Sequence, residues 1–347
     1  MIPAHVPERR YAVFAEGRFD GAKTAHGLLR YGRDDVACVI DSSLAGRSVL
    51  EVAPDLRRDA PIVATMDEAL AYSPTSLLVG IAPPGGRLPD EWRASISEAA
   101  EAGLEIVSGL HQRLAPEFPQ AEVWDVREPP GEVPLFSGEG FAVRPKVALT
   151  VGTSSAIGKM TATLEVERAA RERNISTSFA ATGQTGIVIS GWGICVDAVV
   201  SDFIAGATEQ LVLEAAKTSP ELILVEGQGS LGHPAYSGVT LGLLHGSCAD
   251  CLVLCADASE EEIMAGVPRP AVARAARLYE EVAALVKPAP VVAVSVNTKA
   301  LDDGEAEEFV ARLADETGLP SADPIRGSAS PILDAILGTP KTSATRR

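Results

Sequence analysis

The feature that most constrains this chain is a glycine-lysine loop set between a strand and a helix. Residues 151–161 read VGTSSAIGKMT. An apolar run at 147–151 precedes the loop, and a stretch of helical periodicity follows it through Arg173. On that stretch Glu165, Arg168 and Glu172 share one face, and Met160 and Leu164 share another. Strand, glycine loop and helix in this order are the setting in which a Gly-Lys pair binds phosphate. Helix N-terminal N–H groups point at the anion and the helix dipole adds attraction. Gly152 and Gly158 permit the tight path, Lys159 supplies a point charge, and Ser154 and Ser155 offer further donors.

The loop departs from the Walker pattern at two positions. Thr153 stands where that pattern has a glycine, and Met160 stands where it has the Ser or Thr that ligates Mg²⁺. Thr161 points about 100° further round the helix. Metal-dependent ATP hydrolysis is therefore not expected, and neither ATP nor Mg²⁺ is an expected cofactor. A pyrophosphate held without cleavage suits this loop, and coenzyme A carries one.

The rest of the chain repeats the βα alternation. Apolar runs at 11–15, 36–41, 62–65, 77–81 and 104–107 read as strands, with helices at 23–31, 66–72 and 89–102 between them. Pro89 suits a first helical turn and Gly103 a helix end. Residues 129–145, PPGEVPLFSGEGFAVRP, read as a linker. A second series has strands at 147–151, 178–182, 222–226, 250–255 and 291–296, and helices at 203–217, 270–286 and 305–317. The expected fold is α/β in two domains, each a mainly parallel sheet flanked by helices. Their expected bounds are 1–128 and 146–338, with 339–347 a disordered tail. A length of 347 residues agrees with two domains.

Composition excludes several classes. The net charge of −17 comes from scattered acids, and only seven of the 30 basic residues are lysine. No basic stripe exists for nucleic acid. No apolar run reaches the ~18 residues of a membrane helix, and the N-terminal MIPAHVPERRYAVFAEG lacks a signal-peptide core. A cytoplasmic protein is expected. Its expected partners are a small-molecule substrate and further copies of itself, without nucleic acid or membrane. Five cysteines, an odd number, argue against a disulfide framework. His245, Cys248, Cys251 and Cys255 invite a zinc reading, but no second CxxC exists and 251 and 255 share a sheet face. No metal site is expected.

Further segments carry functional groups. In LILVEGQGSLGHPAYSG, 222–238, a strand ends in Glu226 and leads into Gln228 and Gly229, then His233, Tyr236 and Ser237. An acid at the C-terminal end of a strand lies where ligands bind in open α/β sheets. Beside it His233 and Tyr236 are candidate acid-base groups; a turn with capping residues is the plainer alternative. TGQTGIVISGWGICVDAVVSDF, 182–203, reads either as a close-fitting loop near ligand, with Gln184, Thr185, Trp192 and Asp197 as candidate contacts, or as a loop plus a helix from Val196. In the first half Asp41 ends the second strand, where dinucleotide folds hold a ribose, yet GxGxxG is absent and Asp41 and Ser42 equally suit caps. The stretches 81–89 and 108–111 also end strands. VNTKALDD, 296–303, reads mainly as a helix-start loop.

Assembled, these segments resemble a family. VGTSSAIGKMT, GQTGIVISGWGICVDAVVSDFIAGA, LVEGQGSLGHPAYSGVTLGLLHG, VIDSSLAGR and SGLH resemble a bacterial and archaeal family long labelled as of unknown function and associated with D-glutamate N-acetyltransferase activity of the DgcN type. The likeness runs over roughly residues 10–335. It implies a Rossmann-like N-terminal domain, a P-loop NTPase-like C-terminal domain, and acetyl-CoA as co-substrate. On that reading Gly152, Thr153, Ser154, Ser155, Gly158, Lys159, Met160, Thr161, Gln228 and Gly229 would hold acetyl-CoA. Glu226 or His233 would take a proton from the amine, and Tyr236 or N–H groups near 227–229 would stabilise the oxyanion. Arg144, Arg269 and Arg326 are possible carboxylate clamps. The loop also resembles that of dethiobiotin synthetase, which has Thr after the lysine. An ATP-dependent ligase or kinase and a non-catalytic nucleotide sensor are the rival readings.

Overall fold

The computed structural model describes residues 8–81, 83 and 85–342. It divides into two compact units, one of Met1–Pro130 with Gly183–Ala198 and one of Gly131–Thr182 with Val199–Arg347.

The first unit carries β1 (Arg10–Phe14), α1 (Lys23–Tyr31), β2 (Asp35–Ile40), α2 (Val49–Val52), β3 (Ile62–Val63), α3 (Met66–Leu70), β4 (Ser76–Val79), α4 (Arg93–Glu101), β5 (Glu105–Ser108) and β6 (Val123–Asp125). All six strands are parallel, in the order β3-β2-β1-β4-β5-β6. This is the order of dinucleotide-binding sheets, with its switch point between β1 and β4. Pro89 caps a short 3₁₀ turn at Asp90–Trp92 that feeds α4, and Gly103 follows with φ +80°.

The second unit carries β7 (Lys146–Gly152), α5 (Lys159–Glu172) and β8 (Thr177–Ala180). The chain then leaves it for α6 (Gln184–Ser190) of the first unit. It returns through α7 (Ile204–Ala216), β9 (Leu222–Val225), α8 (Ser237–Gly246), β10 (Cys251–Asp257), the hairpin β11 (Glu262–Met264) and β12 (Val267–Pro268), α9 (Val272–Ala283), β13 (Val291–Asn297), α10 (Asp303–Thr317), β14 (Ser321–Ala322) and α11 (Ser330–Gly338). The main sheet is parallel, ordered β14-β13-β10-β7-β9-β8. Its central strands are continuous apolar runs because helices cover both faces, and every residue of β9 is buried. Each large apolar side chain so buried contributes roughly 1.5–3 kcal/mol.

Three expectations about organisation change. The segment 183–198 was expected within the P-loop domain, yet it packs with the first unit. The linker reading of 129–145 gives way from Gly131 onward. There the buried Glu209 carboxylate accepts Ser137 N–H and Oγ–H and Gly140 N–H at 2.6, 2.9 and 2.9 Å, fixing the segment to α7. Residues 339–342, at the start of the stretch expected to lack order, are held in place. Lys146 Nζ donates to the Thr339 carbonyl, and Lys341 Nζ donates to those of Val143 and Pro145. Residues 343–347 and the first seven, part of the N-terminal stretch read for a signal peptide, lie outside the described residues. No helix among the described residues is long and apolar enough to cross a membrane.

Candidate functional site

Parallel strands bring their C-terminal ends to one edge, and the second unit uses that edge. Gly152 of β7 pairs with Cys255 of β10, and Leu149 of β7 with Val225 of β9. The glycine-lysine loop, Glu226 and Asp257 therefore leave the sheet together. Thr153 N–H donates to the Cys255 carbonyl at 3.0 Å. Ala156 (φ +58°) and Gly158 (φ +100°) then turn the chain through left-handed backbone into α5. For a non-glycine residue that conformation costs roughly 1–3 kcal/mol and collects at ligand clamps.

The loop has the makings of an anion cradle. Gly158 caps the 14-residue α5, whose first N–H groups have no partner inside the helix. Lys159 is 6% exposed, and its Nζ donates to the Ser154 carbonyl at 2.7 Å. The hydroxyls of Thr153 and Ser154 are buried without hydrogen-bond partners. A buried hydroxyl left unpaired costs about 1–3 kcal/mol, which a phosphate oxygen would recover. Met160 follows the lysine. The buried Thr163 hydroxyl donates to the Lys159 carbonyl at 2.8 Å and lies 3.0 Å from that of Thr150.

The loop after β9 is locked to this cradle. Gly227 N–H donates to Thr150 Oγ1 at 2.9 Å, and a Cβ on Gly227 would stand 1.9 Å from the Thr150 carbonyl oxygen. Glu226 is buried, and its Oε2 accepts Thr182 N–H at 3.0 Å. Gln228 donates to Thr182 Oγ1 at 3.1 Å, and its carbonyl accepts the Thr240 hydroxyl at 2.8 Å. Gly229 (φ +62°) leaves no room for a side chain against Thr240 and Tyr236. Gln228 and Gly229 thus shape the loop. His233 is buried, and its Nδ1 accepts Ala235 N–H at 3.1 Å. A backbone N–H can only donate, so the ring proton sits on Nε2 and His233 serves as a donor. Tyr236, half exposed, lies over that ring at 4.4 Å.

Sequence reasoning passed over Tyr279. Its hydroxyl is buried in the middle of α9, donating to the Gly152 carbonyl at 2.9 Å and accepting Leu231 N–H at 3.1 Å. One tyrosine on an apolar helical face reads as core, and no spacing rule would have raised it.

Gln184, Thr185, Trp192 and Asp197 belong to the first unit. The Thr185 and Thr24 hydroxyls are buried 3.0 Å apart. Asp197 accepts from Arg127 Nη1 at 2.7 Å and from the Cys195 thiol at 2.9 Å, while Arg127 Nε donates to the Gly109 carbonyl. Burial pushes the Asp197 pKa up, but the bonds from Arg127 and Cys195 bring it below the usual carboxylate value. Asp41 is buried and accepts Phe19 N–H and both Ser43 donors, so it caps loops. Of the stretch 81–89, residues 82 and 84 lie outside the described residues.

The remaining candidates separate. Arg326 is spent on Asp303 and two carbonyls. Arg269 donates to the Glu260 carbonyl at 2.6 Å. His245 Nε2 lies 3.1 Å from the Val282 carbonyl. Cys248, Cys251 and Cys255 are buried, and desolvation pushes each thiol up to about 12, so they are packing groups.

A Rossmann-ordered unit and a unit whose glycine-lysine loop joins strand to helix define the class. The chain belongs to the DUF1611 family. Its P-loop domain model matches residues 134–333, and its Rossmann-like N-terminal model matches residues 42–129. Two curated relatives are named D-glutamate N-acetyltransferase. The one from Pseudoalteromonas sp. is 39% identical over 278 residues, covering 77% of this chain and 82% of its own. The one from Tritonibacter scottomollicae is 37% identical over 284 residues, covering 78% and 84%. A crystal structure of a DUF1611 family protein from Anabaena variabilis is 39% identical, with a TM-score of 0.89, covering 95% of this chain and 99% of that one.

Proposed function

We propose that this protein is an acyltransferase that moves the acetyl group of acetyl-CoA to the amino group of D-glutamate. The observation that carries the reading is the cradle itself. A buried lysine and two orphaned buried hydroxyls stand at a helix start, and a methionine occupies the position of the magnesium-ligating hydroxyl. The names of the two relatives supply the acceptor.

Lys159, Thr153, Ser154 and the first N–H groups of α5 would hold the pyrophosphate of CoA. The bound co-substrate supplies an activated acetyl thioester. The chain's own groups exclude water, orient the acceptor and manage its protons. His233 offers Nε2–H, with Tyr236 stacked beside it, to the oxygen on which charge develops. Carboxylates at the ligand end of the sheet receive the ammonium proton.

The test is direct. The protein is incubated with acetyl-CoA and D-glutamate, L-glutamate or no amine, and free thiol is followed; a parallel set with ATP and Mg²⁺ is followed for ADP. Thiol release that requires D-glutamate is expected. ADP release without thiol release would replace the reading by a ligase or kinase, and neither product would leave a sensor.

A further inference from the structure

The orphaned polar groups continue beyond the phosphate loop. Ser230 Oγ and Glu260 Oε2 are also buried without hydrogen-bond partners. Thr153, Ser154 and Ser230 are each at most 1% exposed. Tyr279 joins them, because it bonds Gly152, next to Thr153, and Leu231, next to Ser230. Glu260 lies in the turn that leaves β10, and β10 pairs with β7 up to the start of the phosphate loop. The chain then runs along the 227–236 loop, where a Cβ on Gly232 would stand 3.2 Å from Ile263 Cδ1. Glu260 thus lies beside the anion cradle, three residues before Ile263, which reaches the loop that carries His233.

The groups that act on its carboxyl are the Ser154 hydroxyl, Asp257, Arg269 and Lys159. Asp257 is already committed to Ser259 N–H and Oγ–H and to Asn297 Nδ2. Burial pushes the Glu260 pKa up, and Asp257 adds to that; Ser154, Arg269 and Lys159 only partly oppose it. A carboxylate has the wrong sign for a phosphate cradle. It opposes the phosphate it sits beside, and one of its oxygens, Oε2, is buried without a hydrogen-bond partner. A cation arriving with the ligand removes that penalty. Among the proposed reactants the only cation is the ammonium group of the amino-acid acceptor.

We infer that Glu260 is a catalytic residue that receives the acceptor's ammonium group and takes a proton from it. This rests on the acetyltransferase reading. The ammonium N–H bond breaks and its proton passes to a Glu260 oxygen. The nitrogen lone pair forms a C–N bond to the thioester carbonyl carbon. The C–S bond breaks, its electron pair leaves on sulfur, and the second nitrogen proton goes to that thiolate. The proton on Glu260 returns to solvent, so no oxidant or reductant is needed. Glu226, on the opposite side of β7, already accepts Thr182 N–H and holds its loop.

The test compares wild type, Glu260→Gln and Glu260→Asp in the full chain. Thiol release is followed against pH, and acetyl-CoA and D-glutamate binding are followed by calorimetry, each with and without Mg²⁺. Glu260→Gln should lower kcat/KM for D-glutamate about 100-fold or more, remove the acidic limb of its pH profile, and leave acetyl-CoA affinity at least as tight as in wild type. It should also lose D-glutamate affinity, a readout that stands even if wild type releases no thiol and the acetyltransferase reading falls. Glu260→Asp should keep the acidic limb at reduced rate. Wild-type kcat/KM, a retained limb or unchanged D-glutamate affinity in Glu260→Gln would overturn the assignment. So would a loss confined to Mg²⁺-dependent binding, which would make Glu260 a metal ligand.

Discussion

The Tyr279 hydroxyl stands 2.9 Å from the Gly152 carbonyl oxygen, to which it donates, and 3.1 Å from Leu231 N, from which it accepts. One buried group thereby ties the phosphate loop to the loop that carries His233. Tyr279→Phe keeps the ring and removes both bonds, leaving a buried carbonyl and a buried N–H unpaired. Such losses cost about 1–3 kcal/mol. The variant is expected to unfold earlier in thermal melts and to lose kcat while binding D-glutamate with wild-type affinity. Unchanged melting and turnover would show that the bridge is dispensable.

Gly227 is required by close approach rather than by φ. An added Cβ would sit 1.9 Å from the Thr150 carbonyl oxygen and 3.1 Å from Lys159 Cδ. The Thr150 backbone cannot yield without disturbing the β7–β9 pairing. Gly227→Ala should therefore cost at least about 3 kcal/mol, at the severe end for one substitution. Urea unfolding measures it. A shift below about 1 kcal/mol would mean that the strand ends relax freely.

The sheets were legible because buried parallel strands are continuous apolar runs, and 147–151, 222–225 and 251–255 stand out in any reading. The helices α6 and α8 were not, because glycine hid them. In α8 the glycines serve packing: a Cβ on Gly242 would meet Ile204 Cγ2 at 2.6 Å, and one on Gly246 the Ala205 carbonyl oxygen at 2.2 Å. Spaced four apart, they let α8 lie against α7, and that reason exists only in three dimensions. The phosphate loop was legible from its flanks. Glu260 was not, since a carboxylate in an acidic run, SEEEI, reads as solvated surface until one of its oxygens is found buried.

Lys159 separates phosphate binding from chemistry. On the proposed reading, Lys159→Ala would remove a charge-assisted bond to the CoA phosphates worth about 1.5–3 kcal/mol, so CoA affinity should fall about 10–100-fold. Acetyl transfer from a short acetyl thioester without phosphates should be unaffected. Calorimetry with CoA and thiol release from both donors check this. Equal losses with the two donors would place Lys159 in the chemistry instead. Lys159→Arg should not rescue, because a planar fork does not fit a buried site shaped for a compact ammonium.

The Arg127–Asp197 pair fixes the inserted segment within the first unit, and pH reports on it. Asp197 has a folded pKa below its ordinary 3.8, because the bonds from Arg127 and Cys195 outweigh burial. A carboxylate shifted downward contributes stability that is complete above its unfolded pKa and is lost as pH falls through the folded one. Asp197→Asn should therefore lower Tm at pH 7, and the gap from wild type should narrow as pH drops below about 4. With Arg127→Met as background, Asp197→Asn should cost less at pH 7, since the pair is already broken. Melts from pH 3 to 8 measure all four proteins. A gap that stays constant across that range would show that the ion pair does not set the stability of the segment.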